Sequence, residues 1–235
     1  MKKTVVVLAL TLLLVACERT VDENLLEVKD HLLYLKKDSV PFTGNAIANF
    51  KNGKLKSEAG FKDGKLNGLR REWYENGQLK SKGAYKDGKQ EALHRQWYEN
   101  GQLKSTGSYI DGKRNGLLQE WYENGQQKGN ANYEEGKPVG LHHRWFQNGQ
   151  LVSEITYEDG KEEGIARGWY DNGQLISEGT YEKGLKQGVY RMWDKNGQLI
   201  YEATFKDGKR DGLVRTWDEN GQLKNEITYK DGEKQ

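Results

Sequence analysis

The chain has 235 residues, 34% hydrophobic and 31% charged, with 37 Lys+Arg against 35 Asp+Glu. That is too little apolar material for a large oily core, since an ordinary globular domain is about 45–50% apolar with glycine counted. Seven Trp and thirteen Tyr are in turn too many for a solvated, disordered tail.

Lys2 and Lys3 give the N-terminus a positive start, and Val5 to Ala16 is apolar but for Thr11. Twelve residues cannot span a bilayer, which needs roughly 20, but a basic start followed by a short apolar run is the pattern of a secretory signal. The end of the run, Leu14-Val15-Ala16-Cys17, resembles the lipobox of bacterial lipoproteins. That resemblance implies a signal peptide over 1–16, cleavage before Cys17 and acylation of its thiol. An ordinary signal peptide with an incidental buried cysteine is the competing reading. Glu18 rather than Asp follows the cysteine, which by the same resemblance points to the outer membrane or cell surface rather than the inner membrane. Cys17 is the only cysteine, so no internal disulfide can form. Without Lys2 and Lys3 the remaining charges balance, which argues against electrostatic capture of nucleic acid or of an anionic membrane surface. Attachment to a membrane would come from the lipid.

Residues 17–43 form a moderately apolar lead-in, Leu25 to Lys37 above all, joined to the rest by Val40-Pro41-Phe42-Thr43-Gly44. It is expected to act as a capping strand, because terminal units of a repeat array need a modified outer face. From residue 44 onward the chain repeats. Asn-Gly recurs at 52–53, 76–77, 100–101, 124–125, 148–149, 172–173, 196–197 and 220–221, always 24 residues apart. Residues 44–235 are therefore eight units without insertion or deletion. Each opens on Gly except the one opening on Ala92, and every Trp occupies one repeat position. A second turn, Asp-Gly in most units, lies between the Asn-Gly pairs. Both dipeptides suit two-residue type I′ loops, where both central residues have positive φ. Read that way, Gly68 faces Tyr85, Glu72 faces Ser81 and Tyr74 faces Leu79 on one side. Leu69 faces Ala84, Arg71 faces Lys82 and Trp73 faces Lys80 on the other. The expected fold is all-β: an elongated array of eight hairpins in one twisted or coiled antiparallel sheet. Sixteen strands at ~4.8 Å make a body roughly 75 Å long.

The unit Gly68-Leu-Arg-Arg-Glu-Trp73-Tyr74-Glu-Asn76-Gly77-Gln78-Leu79, followed by Tyr85-Lys-Asp87-Gly88-Lys89, resembles the bacterial variant of the MORN repeat. Departures are local: Asn49-Phe50 for the aromatic pair in the first unit, Ala92 for Gly, Gln127 for Leu, and Asp194 and Asp218 for the Tyr after Trp. The resemblance implies an elongated hairpin array with a contact role toward proteins, membranes or assemblies, and includes members labelled antitoxin-like.

Catalysis is not expected. No His or Cys spacing suits a metal site, the Asp-Gly turns lack a calcium-loop pattern, and the recurring serines have no paired His. No cofactor is implied. One pattern does suggest contact: Arg71, Arg95, Arg167, Arg191 and Arg215 each precede a Trp by two residues, at Trp73, Trp97, Trp169, Trp193 and Trp217, so both side chains share a face. Gln119 and His143 fill the Arg position elsewhere. Such a stripe could bind a glycan, an anionic polymer, an acidic strip on a protein partner, or a lipid. Alternatively, each Arg covers the indole and pairs with neighbouring Glu as an ordinary solvated rung. The expected function is an envelope-anchored interaction or adhesion scaffold, with glycan or lipid binding and an antitoxin-like role as alternatives.

Overall fold

The computed structural model describes residues 19–235; Cys17 and the signal-like segment lie outside them. Among the described residues no helix is long and apolar enough to cross a membrane. The lead-in supplies β1 (Thr20–Asp22), a short 3₁₀ turn over Glu23–Leu25, and the hairpin β2 (Leu26–Lys29) and β3 (Leu32–Leu35). The array then runs as β4 (Gly44–Asn49), β5 (Leu55–Lys62), β6 (Lys65–Trp73), β7 (Leu79–Lys86), β8 (Lys89–Trp97) and β9 (Leu103–Ile110), and continues in the same alternation past Leu223–Lys230. Each strand pairs antiparallel with the next in the chain, as β5 with β6 and β6 with β7. β1 adds parallel to β4, with Val21 opposite Ala46.

The lead-in does more than add a strand. Leu33 N donates to Gly64 O at 2.9 Å and Gly64 N to Phe42 O at 2.8 Å, which folds the β2–β3 hairpin over the first unit. Val21, Leu26, Phe42 and Ala46 are buried there, with Leu33, Leu35 and Phe61 packed around them. Among the described residues this is the one place where the sheet acquires a second layer. Elsewhere among the described residues no large side chain is fully buried.

The two turns differ, which corrects the expected register at one end. Asp63 and Gly64 have φ of 49° and 76°, and Lys62 pairs with Lys65, as a type I′ loop requires. The Asn-Gly turn is instead a three-residue loop. Tyr74 N donates to Gln78 O and Gly77 N to Tyr74 O, at 2.8 and 2.9 Å, and Gly77 alone takes positive φ, 92°. This is a type I turn closed by a left-handed glycine bulge. Asn76 is there for its side chain, which accepts from Gln78 N at 2.9 Å. In consequence Tyr74 lies in the turn and Trp73 pairs with Leu79, not Lys80. The pairings Gly68/Tyr85, Leu69/Ala84, Arg71/Lys82 and Glu72/Ser81 are as the spacing predicts.

The unit-opening glycine explains why the turns alternate 11 and 13 residues apart. Between Lys82/Arg95 and Ala84/Glu91, β7 advances two residues while β8 advances four. The two surplus residues are taken up in a bulge around the opening residue, whose φ is positive at Gly68, Gly116, Gly140, Gly164 and Gly188. Ala92 adopts the same geometry, with φ of 57°, a conformation that costs a Cβ-bearing residue roughly 1–2 kcal/mol. A Cβ at Gly68, Gly116 or Gly140 meets nothing within 4 Å, so the cost is backbone strain and not collision. Ala92→Gly is therefore expected to stabilise the protein by about 0.5–1 kcal/mol after glycine's extra unfolded-state entropy is subtracted. The check is the denaturant midpoint, which should rise with an unchanged slope.

Candidate interaction surface

Alternation along the strands divides the sheet into two faces. On one, small and large residues face each other from strand to strand. Gly83 sits beneath His94, Gly107 against Leu118 and Gly179 beneath Tyr190, and a Cβ on Gly83 or Gly179 would come within 2.1 and 2.4 Å of those rings. His94 lies between the rings of Tyr85 and Tyr109, at 5.2 and 5.0 Å, and gives Nε2 to Ala84 O at 2.8 Å. His142 repeats the arrangement between Tyr133 and Tyr157. Shallow clefts of about 280 and 450 Å³ lie over these two histidines. The imidazoles are already satisfied by packing and backbone, and no cluster of His, Cys, Asp or Glu suited to a metal occurs among the described residues. Burial also holds the Tyr157 and Tyr181 hydroxyls protonated above their ordinary range, Tyr181 up to about 12. This face is a packing face.

Tyrosine and asparagine tie consecutive units together along the turn edge. Tyr74 Oη donates to Trp97 O at 2.9 Å, Tyr98 to Trp121 O at 2.8 Å, Tyr122 to Trp145 O at 2.8 Å and Tyr170 to Trp193 O at 3.1 Å. Asn76, Asn100, Asn148 and Asn172 donate in parallel to the backbone of the next turn. Lysines lie over several of these rings, for example Lys104 at 5.5 Å from Tyr98. Asp194 has no hydroxyl to offer, and its carboxylate turns inward to accept from Asn196 N and Gln198 N, both at 2.9 Å. Gln198 Nε2 then reaches Asp218 O at 2.6 Å and restores the link to the next unit. The signal for this ladder was present in the Tyr and the Asn two residues apart in the units of Tyr74, Tyr98, Tyr122 and Tyr170, but only the three-residue turn aims them at the neighbouring unit.

The other face carries the Arg and Trp positions. Here register aligns one row across the sheet: Glu58, Arg71, Lys82, Arg95, Thr106, Gln119, Asn130, His143, Glu154, Arg167, Glu178, Arg191, Glu202, Arg215 and Glu226. Its second half alternates in sign. Arg167 bonds Glu178 at 2.7 Å and lies 3.5 Å from Glu154. Arg191 bonds Glu202 at 2.7 Å, and Arg215 bonds Glu226 at 2.7 Å and Glu202 at 3.4 Å. Arg71 pairs with Glu58. Hydrogen bonds to Glu178 and Glu226 hold the Arg167 and Arg215 guanidinium groups above their usual range. Arg95 has no ion pair among the described residues. Cation–ring contacts among them fall on Tyr or Phe rings, as with Lys186 at 3.7 Å from Tyr190. None of the five Arg is stacked on its Trp; His143 is the one row member stacked on an indole, Trp145, at 5.3 Å.

Beside the charged row runs a feature the sequence reading passed over. Leu69, Leu93, Leu117, Leu141, Ile165, Val189 and Leu213 occupy one repeat position and are each 37% to 47% exposed. Their register partners are small or polar, Ala84 opposite Leu69 and Thr156 opposite Leu141, so nothing in the sheet covers them. Their 24-residue spacing could have been read from the sequence; their exposure could not, since a leucine in a strand is by default assigned to a core.

The tyrosine link gives a paired test. Tyr98→Phe should cost about 0.5–1.5 kcal/mol by removing the bond to Trp121 O. Phe146→Tyr, at the position where the hydroxyl is naturally missing, should gain a smaller amount. Thermal melting of both variants reads the two signs.

The MORN repeat variant matches at residues 66–87, 90–111, 138–159, 162–183, 186–207 and 210–231. No curated protein matches the chain. Among solved structures, a chain in "Crystal Structure of TcdB2-TccC3-Cdc42" is 14% identical with a TM-score of 0.21, over 83% of this chain and 12% of that one. A likeness that weak carries no argument. The unmatched units at 44–65 and 114–135 differ from the pattern at Asn49-Phe50 and Gln127 yet form the same hairpins. With six matched segments of 22 residues covering more than half of its length, the chain belongs to the MORN repeat variant family.

Proposed function

We propose that this protein is a non-catalytic interaction scaffold held at the cell envelope by a lipid on Cys17. The observation that carries the contact role is the line of half-exposed aliphatic side chains on the Arg/Trp face. A recurring row of exposed aliphatic side chains rimmed by polar residues is the kind of surface that serves contact, and Trp, Tyr and Arg are the residues that dominate protein–protein hot spots. Membership of a repeat family that builds interaction scaffolds supports the same reading. An array without long loops must meet its partner on a face. Repetition then sums several weak contacts on one rigid body.

Anchoring rests on Leu14-Val15-Ala16-Cys17, with Glu18 favouring the outer membrane or surface. Cys17→Ser should abolish lipid labelling and release the protein from the membrane fraction; unchanged labelling would remove the anchor from the proposal. For the contact role, the full chain should capture an envelope or host-surface protein from extract. Leu117→Glu with Leu141→Glu should reduce capture at least tenfold while the β-sheet circular dichroism spectrum is preserved. Capture unaffected by that pair would move the contact surface elsewhere.

A further inference from the structure

The charged row contains its own control. In its second half each Arg stands between two Glu, at Arg167, Arg191 and Arg215. In units two to four the alternation fails, with Gln119 and Asn130 uncharged in unit four and like charges opposed in units two and three. Lys82 sits where the pattern places Glu, directly opposite Arg71 on one side and Arg95 on the other. Like charges directly opposed across strands destabilise a sheet. Among the described residues neither Lys82 nor Arg95 forms an ion pair, and Arg71 is shared with Glu58 alone. Other opposed lysines, Lys62/Lys65, Lys86/Lys89 and Lys206/Lys209, flank the exposed Asp-Gly turns, where repulsion relaxes into water. Lys82 is half-buried in mid-strand. The break also lies in the basic part of the array: residues 44–139 hold 17 Lys+Arg against 12 Asp+Glu, residues 140–235 hold 14 against 17.

We propose that Arg71, Lys82 and Arg95 form the binding site for an acidic peptide segment of a protein partner, a proposal that rests on the scaffold reading above. Three cations on adjacent strands span roughly 10 Å, within reach of two or three neighbouring Asp or Glu side chains. Leu69 and Leu93 border the row on one side and Trp73 and Trp97 on the other, so a bound carboxylate would sit between apolar walls. Charge-assisted bonds are stronger when water is excluded in this way. An anionic membrane surface is the poorer fit, because such surfaces are captured by clusters of four to eight basic residues and this run has three, ending at Glu58. The bound carboxylates would supply the charge that Glu178 and Glu202 supply from within the chain further along.

The decisive variant is Lys82→Glu, which extends the internal alternation through Arg71 and Arg95. It should melt at a higher temperature than the parent and yet lose affinity for a fluorescent hexaglutamate peptide at least tenfold. Glu226→Gln, which breaks the ladder at Arg215, should lower the melting temperature and leave peptide binding unchanged. Phosphatidylglycerol vesicles and inorganic phosphate serve as parallel probes on the full chain. Equal peptide affinity in the parent and Lys82→Glu, no peptide binding by the parent, or vesicle binding that alone responds to the substitution would each overturn the proposal. A captured partner retained by Lys82→Glu would overturn it too while leaving the scaffold reading in place.

Discussion

A sheet that lacks a second layer over most of its length has to hold itself together sideways, and in this protein the turn-and-bulge geometry makes that possible. The three-residue Asn-Gly turn, the type I′ Asp-Gly loop and the left-handed bulge at the unit-opening residue together return the chain to the same register every 24 residues. Only with that phase kept can Tyr98 of one unit meet the backbone at Trp121 of the next, or Glu178 meet Arg167 and Arg191. A one-residue slip would put every side chain on the opposite face, so the ladders would vanish together. The phase is costly enough to matter: Ala92 bears positive φ without glycine's freedom and keeps the register.

Given the phase, stability is local. Among the described residues, only the packing of the lead-in on the first unit gives the sheet a small apolar core. Beyond it, the interlocking of Gly83 with His94 and Gly179 with Tyr190 fills one face at close range, while the other face relies on charge alternation and leaves its aliphatic residues partly in water. In repeat proteins energy is the sum of each unit and its contacts with neighbours, and these faces show which contacts those are. The exchange of the tyrosine link at Asp194 for a Gln198 link shows that the interface needs a donor at that height, not a particular residue.

Most of this architecture was legible in advance because turn chemistry and a fixed period are properties of sequence. The repeat boundaries, the hairpin count and four of the cross-strand pairings followed from dipeptides alone. The Asn-Gly turn was misjudged because that dipeptide serves two loop types. The distinction lies in whether Asn takes positive φ or uses its side chain as an acceptor, as Asn76 does. On the Arg/Trp face, identity and spacing located the arginines, but ion pairing depends on the residue opposite. The partner 11 positions on follows from the turn spacing, but the one 13 positions back becomes visible only once the bulge is known. Hence Arg191 and Arg95, equivalent in sequence, differ in surroundings: one is neutralised by Glu202 and the other faces Lys82.

The strands lie across the array, so the backbone hydrogen bonds between them run along its length. A pull applied between the two ends would load those bonds one row at a time, as a zipper is opened, and not all together in shear. Each released unit of 24 residues would lengthen the chain by at most ~80 Å, while units further along kept their structure because each depends on its neighbours alone. An array of this kind yields in steps under tension, lengthening unit by unit.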